Sequence, residues 1–197
     1  MASKFNTLIT QRSAVEMQAL TKKSMNWMLE KISEIKNPSR VVFGKSNKPG
    51  QNNTFRLGGL YSFYYDPKTK DDLPYYDRFP MVIALERYTD GFLGLNLHYL
   101  PLNYRVAFLS KLADYASYNA NDEVQRLRVT YDILSASKRL REFRPCIKKY
   151  LLTQVQSKII TIQPEEWEAA ALLPLHQFRK ASASKVWNES IEEIRKQ

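Results

Sequence analysis

Between Gly59 and Pro101 the chain carries three short apolar runs separated by strong turn signals, and this pattern restricts the fold more than any other feature. Gly59 to Tyr65 is rich in aromatics, Asp66 and Pro67 open a turn, and Met81 to Glu86 is a second, more aliphatic run. Aromatic and β-branched side chains pack well on a pleated, half-buried surface, so both runs read as strands. Asp90 and Gly91 supply the positive-φ chemistry of a hairpin turn. Beyond them Phe92, Leu93, Leu95, Leu97, Tyr99 and Leu100 make a partly alternating strand that Pro101 stops. Strands joined in this way predict a small curled antiparallel sheet or an SH3-like, partly open barrel.

Helical spacing flanks this block. Ser13 followed by Glu16 is a capping-box pattern, and Met25, Met28, Leu29, Ile32 and Ile35 continue a helix to about Lys36. Asn37 and Pro38 end it. Leu102, Val106, Leu109, Ala113 and Ala116 predict a second helix, and a polar break at Asn119 to Asp122 separates it from a third, Glu123 to Ser135. Pro145 suits the first turn of a further helix reaching about Gln156. Ile159 to Ile162 is a β-branched run able to add an edge strand. Pro164, Glu165 and Glu166 start a short helix, and Ser184 is expected to cap a last one with Trp187, Ile191 and Ile194 on one face. The expected class is therefore α+β, a sheet flanked by N- and C-terminal helices. One domain spans 1–197, divided into an N-terminal helix (1–36), a basic arm (37–58), a β core (59–100) and a mainly helical part (101–197).

Charge narrows the function. The chain holds 30 Lys and Arg against 20 Asp and Glu, a net charge of +10. Residues 1–56 carry 10 basic and 3 acidic groups, residues 57–137 carry 8 and 10, and residues 138–197 carry 12 and 7. Basic flanks around a slightly acidic middle raise the expectation of a polyanionic partner. No acidic residue occurs from Ile35 to Tyr65, where Lys36, Arg40, Lys45, Lys48 and Arg56 lie among Gly, Pro and Asn. That run reads as a mobile basic arm, although a solvated loop accounts for any single lysine. Lys138, Arg139, Arg141, Arg144, Lys148 and Lys149 crowd into twelve residues, offset only by Glu142, and Arg126 and Arg128 extend the patch. On a helix-turn-helix these groups could track successive phosphates. A solvated helix face is the plainer alternative.

Several functions are not indicated. The single cysteine, Cys146, allows no disulfide framework and reads as a buried apolar residue. No apolar stretch approaches the ~18 to 20 residues of a membrane span, and no signal peptide is apparent, so a soluble protein without a membrane partner is expected. His98 and His176 have no neighbouring nucleophile or carboxylate in the sequence and read as structural. Neither zinc-ligand spacing nor a phosphate-binding glycine loop is present, so no cofactor and no metal are expected. Asp66, Asp71, Asp72 and Asp77 bracket a turn, as the carboxylates of a metal-dependent nuclease do. Lys68, Lys70 and Arg78 lie among them, and a charge-balanced loop is the simpler account, so no enzyme is expected. Tyr75 and Tyr76 sit beside Pro74 and are the aromatics most expected to be exposed.

The central block also carries a resemblance. Gly59-Leu60-Tyr61, Phe63-Tyr64-Tyr65-Asp66-Pro67-Lys68 and Leu73-Pro74-Tyr75-Tyr76-Asp77-Arg78-Phe79-Pro80 resemble the DNA end protector family of T-even-type tailed phages. Gly91 to Pro101 continues the likeness, as do Ala181-Ser182 and Lys185-Val186-Trp187, so that it spans about residues 57–190. The resemblance implies a virion protein that sits on the end of packaged double-stranded DNA and shields it from a host exonuclease. It implies presence in the virion, and in the host cytoplasm during assembly and after injection. It carries over no catalytic residue. The acidic middle, with Asp71, Asp72, Tyr75, Tyr76 and Asp77, would then meet other virion proteins of the portal, neck or baseplate, since acidic groups repel DNA. The alternative is a structural adaptor of neck or baseplate acting through protein contacts alone.

Overall fold

The computed structural model describes residues 56–106, 108, 109, 112, 141–163 and 166–195, together with Asn26. Asn26 is helical, within the stretch where the first helix is predicted. The rest of that helix, the basic arm up to residue 55 and the helix predicted at 123–135 lie outside the described residues.

An open five-stranded antiparallel sheet organises the fold. Its strands are β1 (Leu60–Ser62), β3 (Met81–Arg87), β4 (Gly91–Asn96), β5 (Ile147–Leu151) and β6 (Ile160–Ile162), in the order β5-β4-β3-β1-β6. β2 (Tyr76–Asp77) and β7 (Phe178–Arg179) pair separately as a short antiparallel ribbon. The sheet of described strands ends at β5 and β6 and does not close, so the α+β class and the antiparallel sheet hold, and the described strands form no closed barrel. β6 lies at an edge, as its β-branched run predicts.

Both faces of the sheet are covered, which is why central β3 is apolar almost throughout. Leu60, Ile83, Leu95 and Ile162 belong to one core, which includes Trp167, Ala170 and Val186 from helices α1 (Trp167–Leu172) and α2 (Ala183–Arg195). Tyr61, Val82, Ala84, Phe92 and Tyr150 belong to a second, aromatic core with Phe63 and Tyr65. Alternate residues of one strand thus serve two cores. Two indoles fix the helices: Trp167 Nε1 donates to the Ile162 carbonyl at 3.0 Å, and Trp187 Nε1 to the His98 carbonyl at 2.8 Å.

Three local expectations are corrected. The helix predicted from Pro145 to Gln156 is instead a 3-10 helix, Arg141–Cys146, followed by β5 and a second 3-10 turn, Leu152–Gln154. Tertiary packing overrides the proline signal here. Tyr150 stacks on Phe92 at 5.4 Å and meets Phe63 and Tyr65 edge-on at 5.4 and 5.0 Å, contacts worth ~0.5–1.5 kcal/mol each beyond burial. Gly91 does not adopt positive φ; among the described glycines Gly58 does, at 82°. What Gly91 provides is close approach, since a Cβ there would run into the Tyr150 carbonyl of β5. Finally, the last helix is capped by Ser182, not Ser184, with Ser182 Oγ accepting from Lys185 N at 3.3 Å. Cys146 is buried, as expected, and burial pushes its thiol up to about 12.

Candidate nucleic-acid interface

The β2–β7 ribbon sorts its side chains by strand alternation. Tyr76 lies opposite Arg179 and Asp77 opposite Phe178, while Arg78 N donates to the Gln177 carbonyl at 2.9 Å. Asp77 and Phe178 turn inward, whereas Tyr76, Arg78, Gln177 and Arg179 line an open cleft of about 650 Å³. Tyr64, Tyr65, Asp66, Lys70 and Gln156 complete the lining.

The inward carboxylate is saturated. Asp77 is buried, and its Oδ1 accepts from Phe79 N at 3.0 Å and Gln177 N at 2.9 Å. Its Oδ2 meets His98 Nδ1 at 2.6 Å and Asn96 Nδ2 at 3.4 Å. Burial pushes the carboxyl up, but the His98 interaction and the backbone donors outweigh it, so Asp77 stays below the usual carboxylate range. His98 is fully enclosed, and burial, only partly opposed by Asp77, lowers its imidazole to about 4. Neutral His98 therefore donates its Nδ1 proton to a charged Asp77, a tautomer set by the carboxylate. The side chains are 0% and 1% exposed, so this dyad has no access to a substrate.

Among the described residues Arg105 is a second buried charge. Its guanidinium donates to the carbonyls of Leu97, Leu100, Ala171 and Leu173 at 3.2 to 3.5 Å, which joins the end of β4 to α1. Burial lowers it to about 10, with Asp77 opposing, and it remains cationic at neutral pH.

The outward face is unsaturated. Lys70 pairs with Asp66 at 2.9 Å, so that of the three cations lining the cleft Arg78 and Arg179 remain. Both are exposed, and among the described residues neither guanidinium has a carboxylate partner. Lys180, next to Arg179, holds the wall in place: its Nζ donates to the carbonyls of Lys70, Asp71 and Leu73 at 2.7, 2.8 and 3.1 Å. Lys180 adopts a left-handed φ of 67°, a conformation that costs a non-glycine residue ~1–3 kcal/mol and persists here against those three bonds. Tyr64 leans on Phe79 at 4.9 Å, and its carbonyl accepts from Gln156 N at 2.8 Å. Guanidinium forks, amides and phenol rings form a surface suited to phosphate and base, with charge-assisted hydrogen bonds available to an anion.

The sequence-predicted residues scatter around this site. Arg56 is half-exposed, its backbone bound to the Tyr61 hydroxyl. Arg144 is exposed on the 3-10 helix that begins at Arg141. Lys148 and Lys149 are adjacent on a strand, not on one helix face, and therefore separate: Lys148 is half-buried over the Tyr99 ring, and Lys149 pairs with Asp90 at 2.8 Å. The supposed continuous patch is split there by β5. Lys36, Arg40, Lys45, Lys48, Arg126, Arg128, Lys138 and Arg139 lie outside the described residues.

Of the expected protein contacts, Asp71 and Asp72 are exposed. Tyr75 is partly buried against Tyr99, and burial with a hydrogen bond to Glu189 pushes its hydroxyl up to about 12. Tyr76 faces the cleft. Asp77 is corrected outright, because a sealed carboxylate with four donors cannot meet a partner. Among the described residues no three His, Cys, Asp or Glu side chains gather as metal ligands. No helix of the described residues is long and apolar enough to cross a membrane.

The pairing of Arg78 with Arg179 is not legible in sequence, because the ribbon joins positions a hundred residues apart. The available signal was the period-two placement of Tyr76 and Arg78 around Asp77.

Comparison with curated proteins and with solved structures finds no match. A family model does match, over residues 1–190, and its description is Phage T4 terminal DNA protecting protein. With nearly the whole chain aligned, the protein belongs to the phage T4-type terminal DNA protecting family.

Proposed function

We propose that this chain binds the end of linear double-stranded phage DNA, in the virion and after entry into the host cytoplasm, and blocks exonuclease entry without catalysing a reaction. The observation that carries the reading is the family match over residues 1–190. A net charge of +10 supports it, since each phosphate contact releases counterions and favours association. The guanidiniums of Arg78 and Arg179, which have no carboxylate partner among the described residues, add a local reason for anion binding. The exposed Asp71 and Asp72 suit contacts with neighbouring virion proteins, where a negative patch disfavours DNA.

The test is a protection assay with a double-strand exonuclease on linear duplexes of several lengths. Protection should saturate at a fixed amount of protein per DNA end, whatever the length. Protection that scales with length would mean general coating, and no protection together with equal, weak binding to linear and circular DNA would favour the adaptor reading.

A further inference from the structure

Resting on the end-binding reading, we infer that the cleft between the β2–β7 ribbon and Tyr64 is the end-recognition site, and that it takes the terminal nucleotide of a DNA strand. Its volume, about 650 Å³, lies in the ~300–1,000 Å³ range of small-ligand clefts. That space admits one or two nucleotides but not a length of duplex, one turn of which spans ~34 Å. Arg78, the residue after β2, and Arg179 of β7 line the same opening from the two sides of the ribbon, the arrangement that clamps a phosphate group. Tyr64 and Tyr76 offer phenol rings for a base, and the amides of Gln156 and Gln177 can meet either a base edge or a sugar.

Selectivity for ends follows from the size of the opening. An internal nucleotide reaches such a cleft only by leaving a stack closed on both sides, at a cost of a few kcal/mol. A terminal nucleotide is stacked on one side and frays readily. The rigid backing of the ribbon, with Asp77 tying Gln177 and Phe79 below and Lys180 fastening the loop beside it, keeps the cleft formed before DNA arrives.

The experiment uses the full chain and equal-length duplex DNA in linear and covalently closed circular form, with affinities measured over a range of salt. In the Arg78→Ala, Arg179→Ala double variant the preference for linear over circular DNA should fall roughly 10- to 100-fold, the scale of losing two charge-assisted contacts. A control, Lys185→Ala with Arg195→Ala, removes the same charge from α2 and should keep the preference. A cleft variant that retains the preference with its native melting temperature overturns the assignment, as does an equal loss in the control, which would reduce the effect to net charge. Tyr76→Leu, which keeps every charge, should also weaken the preference; an unchanged value argues against base stacking in the cleft and overturns the assignment to a nucleotide. If the unaltered protein shows no preference for linear DNA, the end-binding reading itself fails and the cleft assignment falls with it. That result is distinct from a preference that survives the cleft substitutions.

Discussion

The two faces of the β2–β7 ribbon treat charge in opposite ways. Inward, Asp77 is sealed from water and receives four donors, from Phe79, Gln177, His98 and Asn96. Outward, Arg78 and Arg179 stand in an open cleft with no carboxylate partner among the described residues. Tyr76, Asp77 and Arg78 are consecutive, so the change from one regime to the other takes a single residue step. A buried charge persists only when its hydrogen bonding is complete, whereas an exposed, uncompensated pair of cations adds little to stability and remains available to a ligand. Saturation therefore separates the residues that hold this site from those that act in it.

The comparison breaks most visibly at Asp77. Asp77→Ala leaves two backbone donors and neutral His98 without an acceptor, and at ~1–3 kcal/mol for each buried unsatisfied donor should cost roughly 3–5 kcal/mol in urea unfolding. A loss below ~1 kcal/mol would mean that the ribbon does not depend on this carboxylate.

Acid should act on the same face. His98 titrates at about 4 in the folded chain against 6.5 as its ordinary value, so between these pH values the unfolded state binds more protons. Stability should be complete above pH ~6.5 and fall as pH drops toward ~4, by up to about 1.4 kcal/mol per pH unit from this group. Asp77, also lowered, extends the loss to more acidic pH. Replacing His98 with Asn should flatten the upper part of that window in a pH series of denaturant unfolding; an unaltered profile would assign the acid sensitivity elsewhere.

Lys180 sharpens the boundary between the faces. Lys180→Ala removes three carbonyl contacts and should cost roughly 1 kcal/mol, while raising amide exchange across Lys70 to Leu73. Exchange confined to other segments would deny it the fastening role. The smallest stability effect belongs to the outward face: Arg78→Ala with Arg179→Ala should shift unfolding by no more than about 0.5 kcal/mol per site.

The sheet was largely legible and the site was not, for one physical reason. β1, β3, β4 and β6 follow from local alternation and β-branched or aromatic composition, which act over a few residues. β5 was hidden because Pro145 and the Lys148-Lys149 pair imitate a basic helix, and only the open edge of β4 and the aromatic core around Tyr150 decide otherwise. Asp77 reads as a surface acid because it lies among Asp71, Asp72 and Arg78, while three of its four donors lie 19 to 100 residues further along the chain. The cleft has the same origin: Arg179 reaches Tyr76 only through the pairing of β2 with β7.

The most direct measurement places a photoreactive base at the terminal nucleotide of a linear duplex and maps the crosslinked peptides. Crosslinks should fall on the segments carrying Tyr64 and Tyr76, and should disappear when the same base is moved to the interior of the duplex. Crosslinks confined to α2, or unchanged for an interior base, would contradict the division of labour between the two faces of the ribbon.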